Sequence, residues 1–385
     1  MRSFVVAIAL IATPLSAQST FDLQGYVAGR GVDATGSRLE ASEEDAFFGV
    51  AQLGFEWTPS RYFDVHVSGA ARDDDAGLVE AFADARALFG NDELQLRAGQ
   101  FFLPTSRENK GELWTSPYSV SFSALNTWIA QEVRPIGVDL EWRHTLGTGH
   151  TLTTAATAFR GNDAMGALLG WRGWTVGNRL TTYEDVLPLP PLDTLQTFFA
   201  DQRDDGTQPF GTDLDGNTGF AARVRYSIPQ RANIQYAYVD NRGDRRLYRL
   251  PDKGEYAWAT DFHLISAEAG NPDHTIVAAE YMRGSTGMGF APGFVQADFY
   301  ATYLLLSEKI GRTRWTARYE LFGTRERDFS PAEVNSESGR SWTFAWLYDA
   351  TPSIRVVSEY TQISGHRADM SMDGHSTTLE VRYSF

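Results

Sequence analysis

The sequence predicts an all-β chain that forms a transmembrane antiparallel β-barrel of about sixteen strands, with long external loops and short periplasmic turns. Three observations support this fold class. Segments of about ten residues alternate between apolar and polar side chains, the links between them alternate in length, and many of the 24 Phe, 16 Tyr and 10 Trp lie on the apolar faces. Successive side chains of a strand point to opposite faces, so the alternation predicts strands with one apolar and one polar face.

The C-terminal segment shows the pattern most clearly. Apolar Leu379, Val381 and Tyr383 alternate with polar or charged neighbours up to Phe385. Sixteen segments of this kind lie at 22–31, 45–57, 63–72, 78–89, 94–101, 136–144, 151–161, 217–228, 231–241, 257–268, 274–284, 296–309, 313–323, 340–350, 353–364 and 375–385. Fourteen or eighteen strands are the alternative counts.

The links between these segments fall into two groups. Short links rich in Gly, Pro, Asn and Ser predict tight turns. Most of the intervening links are longer, namely 32–44, 102–135, 162–216, 242–256, 285–295, 324–339 and 365–374, and the short link 73–77 is the exception. Long loops at one end and short turns at the other are typical of a barrel that crosses a membrane. Lipid cannot satisfy a free sheet edge, so the sheet is expected to close. About sixteen strands leave room for an aqueous channel.

Composition excludes several other classes. The chain has 34 basic and 49 acidic residues and a net charge of −15, which argues against binding nucleic acid. It has no cysteine, so disulfides, thiolate metal sites and thiol catalysis are excluded. No apolar run approaches the 18 residues that a membrane-spanning helix needs.

The N-terminus has the features of a secretory signal peptide. Arg2 precedes an apolar stretch at 4–12, and Pro14 and small residues follow it. We expect residues 1–17 to be removed by cleavage after Ala17, with cleavage after Ser19 as the alternative. Residues 18–385 then form a single barrel domain.

The end of the chain carries a family resemblance. A terminal Phe385 with Tyr383 on an amphipathic last strand resembles the assembly signal of Gram-negative outer-membrane proteins, and the whole mature chain resembles the outer-membrane porins of the sixteen-stranded type. Gly99-Gln100-Phe101 followed by Pro104 is weakly similar to a segment of the phosphate-selective porin group. The resemblance implies a homotrimer in the cell outer membrane that passes small hydrophilic solutes and ions by passive diffusion. It also implies outer-membrane lipid, lipopolysaccharide and the barrel assembly machinery as partners, and no cofactor.

The resemblance further implies that the third external loop folds into the barrel and narrows it. Here that loop is 102–135. Its candidate constriction residues are Arg107, Glu108, Lys110, Glu112, Trp114, Tyr118, Glu132 and Arg134. Opposed charges at a constriction would set ion preference, as charged rings do in other channels. The loop has a single lysine and no net charge, so phosphate selectivity is not expected. An ordinary external loop with solvated charges is the alternative.

The polar faces of the segments predict the lumen wall. The candidate wall residues are Arg223, Arg225, Arg314, Arg318, Arg355, Arg382, Asp139 and Glu141. Their distribution suggests a more basic C-terminal wall and a more acidic N-terminal wall. A solvated lumen without selective consequence is the alternative.

Signals for other functions are weak. The chain has no G-x-S-x-G, H-E-x-x-H or P-loop motif. Asp213 and Asp215 occupy a loop that lacks the ligand spacing of a calcium site, and no metal is predicted. The sequence therefore predicts a porin and not an enzyme. A plugged or adhesive barrel is the main alternative, and an outer-membrane esterase or phospholipase is a less favoured one.

Overall fold

The computed structural model describes most of the mature chain. The described residues are 19–36, 39, 47–72, 75–190, 192–197, 199–200, 202, 206–248, 254–291, 293–328, 334–368 and 370–385. The expected signal peptide lies outside these residues.

Strands dominate the described part of the chain. They are β1 Thr20–Thr35, β2 Phe47–Ser60, β3 Phe63–Arg72, β4 Asp75–Phe89, β5 Asp92–Gln100, β6 Ile136–Thr145, β7 Thr151–Arg160, β8 Gly219–Ile228, β9 Ala232–Asp240, β10 Ala259–Gly270, β11 Thr275–Phe290, β12 Gly293–Ile310, β13 Thr313–Glu326, β14 Glu337–Asp349, β15 Ile354–Arg367, β16 Met370–Ser371 and β17 Gly374–Ser384. All sixteen predicted segments coincide with strands, and the two-residue β16 is additional.

Antiparallel pairing joins the strands into a closed ring. From β1 to β15 each strand pairs with the next one in sequence, β15 pairs with β17, and β17 pairs with β1 through a register that places Tyr26 opposite Ser384. Sixteen strands form the ring, while β16 pairs only with the end of β15. The predicted barrel is therefore confirmed. Closure leaves no free sheet edge, which is the condition for a sheet to exist in hydrocarbon.

The two faces of the barrel differ as the alternation predicted. On β14, the outward Trp342 and Phe344 are 44% and 52% exposed, whereas the inward Ser341 and Thr343 between and beside them are fully buried. Exposed aromatic side chains in neighbouring strands suit contact with lipid and its interfacial regions. Burial of the inward polar side chains shows that other parts of the chain cover them.

Short helices lie in two of the long links. A 3-10 turn at Glu112–Trp114 and helix α1 Ala124–Glu132 belong to the link after β5, and α2 Ala167–Trp171 and α3 Asp193–Gln196 to the link after β7. Within the described residues, no helix is both long and apolar enough to cross a bilayer. We call the barrel end with these links the long-loop end, and the opposite end the short-turn end.

The expectation that 162–216 is wholly an external loop is wrong. Its first part, residues 162–182, enters the barrel. Trp171 and Trp174 are fully buried, and the Trp174 indole nitrogen donates a hydrogen bond to the Gly323 carbonyl of β13 at 3.1 Å. Packing the apolar side chains of this segment against the inward faces of the strands lowers the free energy of the folded protein, because it removes apolar surface from water.

The lipid-facing role of the outer surface is tested by placing a charge at two depths on one strand. Leu304 lies near the middle of β12 and Ile310 at its end, and both side chains are exposed. We expect Leu304→Arg to cost about 2–4 kcal/mol of folding free energy and Ile310→Arg about 0–1 kcal/mol, because the cost of burying a charge in lipid depends on depth. Denaturant titration in lipid vesicles measures both values. Equal costs at the two positions would contradict a membrane-spanning barrel.

Candidate channel interior

Carboxylates on the inner wall hold the backbone of the link 102–135. Glu359 of β15 accepts hydrogen bonds from the backbone N–H groups of Val120 at 2.7 Å and Ser121 at 2.9 Å. Glu320 of β13 accepts one from the Ala124 N–H at 2.6 Å, at the start of α1. A carboxylate that binds backbone amides in a buried site forms strong, charge-assisted hydrogen bonds. These contacts fix the link against the wall formed by β13–β15.

A buried ion pair reinforces this attachment. Arg318 of β13 lies within 2.5 Å of Glu108 and 2.8 Å of Glu320, and all three side chains are almost completely buried. Glu108 also accepts hydrogen bonds from the Ser123 N–H and the Asn126 side-chain amide. Arg318 further donates to the carbonyls of Ser121 and Phe122. Satisfying every charge in this way offsets much of the cost of burying it.

The other candidate constriction residues occupy several separate positions. Trp114 stacks on Phe102 with ring centroids 4.2 Å apart, and the Arg134 guanidinium lies over the Phe210 ring at 4.3 Å. Arg107 donates its backbone N–H to Glu280, Lys110 pairs with Glu268, Tyr118 is buried beside Arg314, and Glu112 begins the 3-10 turn. The set does not converge on one ring of opposed charges, so its role as a constriction stays a prediction.

The candidate wall arginines contact acidic or polar side chains on both halves of the barrel. Arg223 and Asp139 make two contacts of 2.9 Å, and Arg225 lies 3.9 Å from Glu141. On the other half of the barrel, Arg314 contacts Ser307 at 2.9 Å, Arg355 lies 2.6 Å from Asp349, and Arg382 lies 2.8 Å from Glu380. Sequence alone could not show the pair of Arg223 and Asp139, because it joins β8 and β6, whereas Arg382 and Glu380 lie two positions apart on β17. The two walls of unlike charge stay a prediction.

The chain terminus lies on the seam between the last and first strands. Phe385 exchanges two backbone hydrogen bonds with Gly25, at 3.0 and 3.1 Å. The Tyr383 and Phe385 rings are about half exposed on the outer face, with centroids 6.2 Å apart. Their role as an assembly signal stays a prediction.

An apolar cluster fills part of the barrel interior. The Trp128 ring of α1 lies 5.3 Å from Phe262, 5.4 Å from Phe299 and 6.1 Å from Trp174, measured between ring centroids. Phe262 and Phe299 are inward side chains of β10 and β12, so the two long links and the wall share one hydrophobic core. The sequence signal for this was available in Ala164–Trp174, where apolar residues and two tryptophans dominate a segment first interpreted as external.

Glu132 joins the two links. Its carboxylate accepts hydrogen bonds from the Trp128 indole at 2.5 Å and from the backbone N–H groups of Gly166 at 3.1 Å and Leu168 at 3.0 Å. Burial raises the pKa of Glu132 from 4.5 to about 7, against the effect of these hydrogen bonds. Gly166 is required here, because its φ is +97° and an added Cβ would lie 2.1 Å from the Thr286 hydroxyl.

Among the described residues, two cavities of similar size lie along the wall formed by β1, β2, β3, β15 and β17. The upper cavity, at the long-loop end, has a volume of about 460 Å³ and is lined by Tyr26, Arg30, Val50, Ala70, Arg72 and residues of the link after β7. The lower cavity, at the short-turn end, has a similar volume of about 460 Å³ and is lined by Tyr26, Lys110, Arg355, Arg382 and neighbours. Tyr26 lines both cavities, so its ring lies between them.

Other polar groups of interest have structural partners. Asp163, Asp213 and Asp215 place carboxylate oxygens within 4.8 Å of one another. Asp163, which sequence reasoning missed, accepts backbone hydrogen bonds from Leu214 and Asp215, and burial raises its pKa to about 6. Three carboxylates that fasten a loop do not by themselves identify a metal site.

The ring nitrogens of the histidines at 144, 150, 263 and 375 contact Asp92, Tyr226, Tyr236 and Thr35 respectively.

The buried ion pair is tested by removing one carboxylate. We expect Glu108→Ala to cost about 3–5 kcal/mol, because it leaves the Arg318 guanidinium buried with one fewer partner. The matched control is Glu93→Ala, which removes the partly exposed pair between Arg143 and Glu93 and should cost less than about 1 kcal/mol. Denaturant titration in detergent gives both values, and proteolysis reports release of the link. A cost for Glu108→Ala as small as for the control would show that the link is not anchored here.

The contact made by Glu132 should depend on pH. Its folded-state pKa of about 7 exceeds the unfolded value of 4.5, so the folded protein binds the proton more tightly. The stabilisation is fully present below about pH 4.5 and is lost as pH rises through about 7, with a magnitude on the order of 3 kcal/mol. Glu132→Gln should remove this dependence. Thermal unfolding of both proteins between pH 4 and 9 measures it, and parallel curves would refute the assignment.

Comparison with known proteins gives similarity in structure only. No family model and no curated protein matches the sequence. The structure is similar to OmpF of Salmonella typhi solved with daunomycin, with a TM-score of 0.57, 11% identity, and coverage of 95% of this chain and 97% of that one. It is also similar to the outer-membrane channel DcaP of Acinetobacter baumannii, with a TM-score of 0.56, 11% identity and coverage of 95% and 97%. The anion-selective porin of Comamonas acidovorans gives a TM-score of 0.54 at 9% identity, with coverage of 96% and 100%.

These similarities extend over nearly the full length of both chains. At this identity they establish the fold and not the transported solute. The chain therefore has the sixteen-stranded antiparallel barrel fold of outer-membrane porins.

Proposed function

We propose that the protein is an outer-membrane porin, a channel for passive diffusion of small hydrophilic solutes and ions, and not an enzyme. The observation that carries the proposal is the pair of cavities along the β1–β17 seam, one toward the long-loop end and one toward the short-turn end, which share Tyr26 as a lining residue. We propose that a path past this ring connects them. Charged side chains line both cavities, and such walls suit water and ions. The two inserted links leave this path off the barrel axis.

We expect the path to be narrow for a sixteen-stranded barrel, because the apolar cluster around Trp128 and Trp174 occupies part of the interior. We therefore expect a smaller conductance than that of a barrel of the same size with an open lumen. The same packing favours a second candidate function, a plugged barrel whose loops bind partners. The two candidates differ in one property, which is conduction by the purified protein.

The proposal includes location and assembly. Exposed aromatic side chains on the outer face would contact outer-membrane lipid and lipopolysaccharide in a Gram-negative bacterium, and the terminal Phe385 would be read by the barrel assembly machinery. We also propose a homotrimer. In support, a similar structure, OmpT of Vibrio cholerae, is described in a trimer form, with a TM-score of 0.54 and 9% identity. Light scattering of the detergent complex measures the number of chains.

Single-channel recording in planar bilayers tests conduction. We expect stepwise currents from the wild-type protein, and smaller steps from Ala70→Trp, because the added ring would occupy the upper cavity. Ala85→Trp is the matched control, since Ala85 lies exposed on β4 outside both cavities, and its steps should equal those of the wild type. A folded protein without current steps would favour the plugged barrel. Equal steps in all three proteins would place the path elsewhere.

A further inference from the structure

Basic side chains are concentrated on the path through the two cavities. Among the described lining residues, four arginines face the upper cavity, together with the carboxylates Asp75 and Asp185. Lys110, Arg355 and Arg382 face the lower cavity, together with Asp349 and the terminal residue. The lining thus has seven cationic side chains against three acidic side chains and the terminal carboxylate, in a chain whose net charge is −15. Three of the bases, Arg30, Arg382 and Lys110, also pair with Glu380 or Glu268. A local excess of this sign in a cleft with low-dielectric walls concentrates anions.

The four arginines of the upper cavity come from both sides of it. Arg30 and Arg72 belong to the barrel wall, and Arg172 and Arg179 to the inserted link. Their positions are fixed by neighbours. Arg30 lies 2.5 Å from Glu380 and donates to Asn178 at 2.9 Å, and Arg72 lies over the Phe48 ring at 4.4 Å.

The two arginines of the link are fixed in the same way. Arg172 donates to Gln131 at 2.6 Å, and Arg179 lies 3.9 Å from Asp75. Guanidinium groups held on opposite sides of a cavity are suited to carboxylates, because their planar donor pairs match the two oxygens.

The surfaces between the arginines carry both polar and apolar side chains, the polar ones including Gln52, Thr175 and Asn178. Val50 and Ala70 on the wall and Leu180, Leu187 and Pro188 on the link line the same cavity. A site that combines a few fixed charges with apolar walls favours a solute with both features. A bare inorganic ion would use the charges and gain nothing from the walls.

The junction between the cavities continues the basic path. Tyr26 of β1 faces both cavities, and the Arg382 guanidinium of β17 lies over its ring at 4.2 Å. Glu380 lies behind them, 2.5 Å from Arg30 and 2.8 Å from Arg382. The Glu380 carboxylate therefore contacts the guanidiniums of both Arg30 and Arg382. On the proposed path, an anion that leaves the upper cavity would meet Arg382 next.

We propose that the upper cavity is a binding station for small organic carboxylates, at which Arg30, Arg72, Arg172 and Arg179 hold the carboxylate and the apolar walls hold the organic part. The inference rests on the channel function proposed above and names its solute class. The solute then passes Tyr26 and Arg382 into the lower cavity. No part of this path uses the Glu108–Arg318 pair, which lies among the contacts that hold the link 102–135.

Selectivity measurements test the charge on the path. In a potassium chloride gradient, the wild-type reversal potential should show anion preference. Arg72→Gln should lower the anion-to-cation permeability ratio by about two- to fivefold, as expected for losing one charge partly screened by water. Arg246→Gln is the matched control, since Arg246 is an exposed arginine at the long-loop end outside both cavities, and it should leave the ratio unchanged. Cation preference in the wild type, or equal ratios in all three proteins, would overturn the inference.

Binding is measured with benzoate as the probe. Benzoate added to the chloride solution should cause brief blockades of the current, and their duration should fall in Arg72→Gln but not in Arg246→Gln. Inorganic phosphate at equal concentration should block less, since it lacks an apolar part. Blockades that are longer with phosphate would overturn the carboxylate assignment. If no current steps occur in any protein, the channel function itself fails, which is a different outcome from steps without anion preference.

A second measurement does not require removal of an arginine. The chain has no cysteine, so Val50→Cys places a single thiol in the upper cavity. A sulfonate-bearing thiosulfonate reagent should react there at least roughly fivefold faster than a trimethylammonium-bearing one, after correction for their rates with a free thiol. Val239→Cys, which is buried in the apolar cluster, should react with neither. Equal rates at Val50→Cys would contradict an anion-attracting cavity.

Discussion

Every backbone polar group of a sheet in hydrocarbon must find a partner within the protein, and this constraint determines the architecture. The pairing of β17 with β1 meets it, because it removes the two edges that a linear sheet would expose to lipid. Closure also creates an interior volume that inward side chains alone cannot fill. Whether the protein conducts depends on what occupies that volume. In this chain, segments of two long links occupy part of it.

The links are held inside by polar and apolar interactions at different positions. Wall carboxylates bind the amides of the link 102–135, and the Arg318 guanidinium neutralises two of the carboxylates around it. Apolar side chains of both links pack on Phe262 and Phe299. Because carboxylates and aromatic rings share the inner wall, the interior is neither a uniform water column nor a uniform core. In the described part of the chain, the upper and lower cavities lie beside β1–β3 and β17.

Much of the fold could be predicted from sequence because lipid enforces a period-two pattern on every strand. Trp342 lies on the outer face and is exposed, whereas Ser341 lies on the inner face and is buried. The same difference in position accounts for their difference in polarity. The interior follows no such rule. Asp139 and Arg223 are 84 positions apart in sequence, and their pairing depends on strand register that the pattern does not encode. The length of the link 162–216 predicts an external loop. The apolar content of Met165–Trp174 explains why residues 162–182 lie inside the barrel instead.

The same reasoning explains the outcome for the candidate site. Glu108 and Arg318 were identified as charged interior residues from their positions, but their mutual contact makes them structural partners. Two arginines of the upper cavity belong to the link after β7, whose length predicts an external loop, so no local sequence motif identifies the cavity. A site assembled from β1, β3 and a loop segment is visible only when the chain is folded.

The position of the two cavities has a consequence for biogenesis. Tyr26 and Arg30 belong to the first strand, and Arg382 to the last, so the walls of the route come from opposite ends of the polypeptide. The wall of both cavities is therefore complete only after the first and last strands have paired. If the cavities conduct as proposed, a chain that stalls before its last strand is added lacks this route.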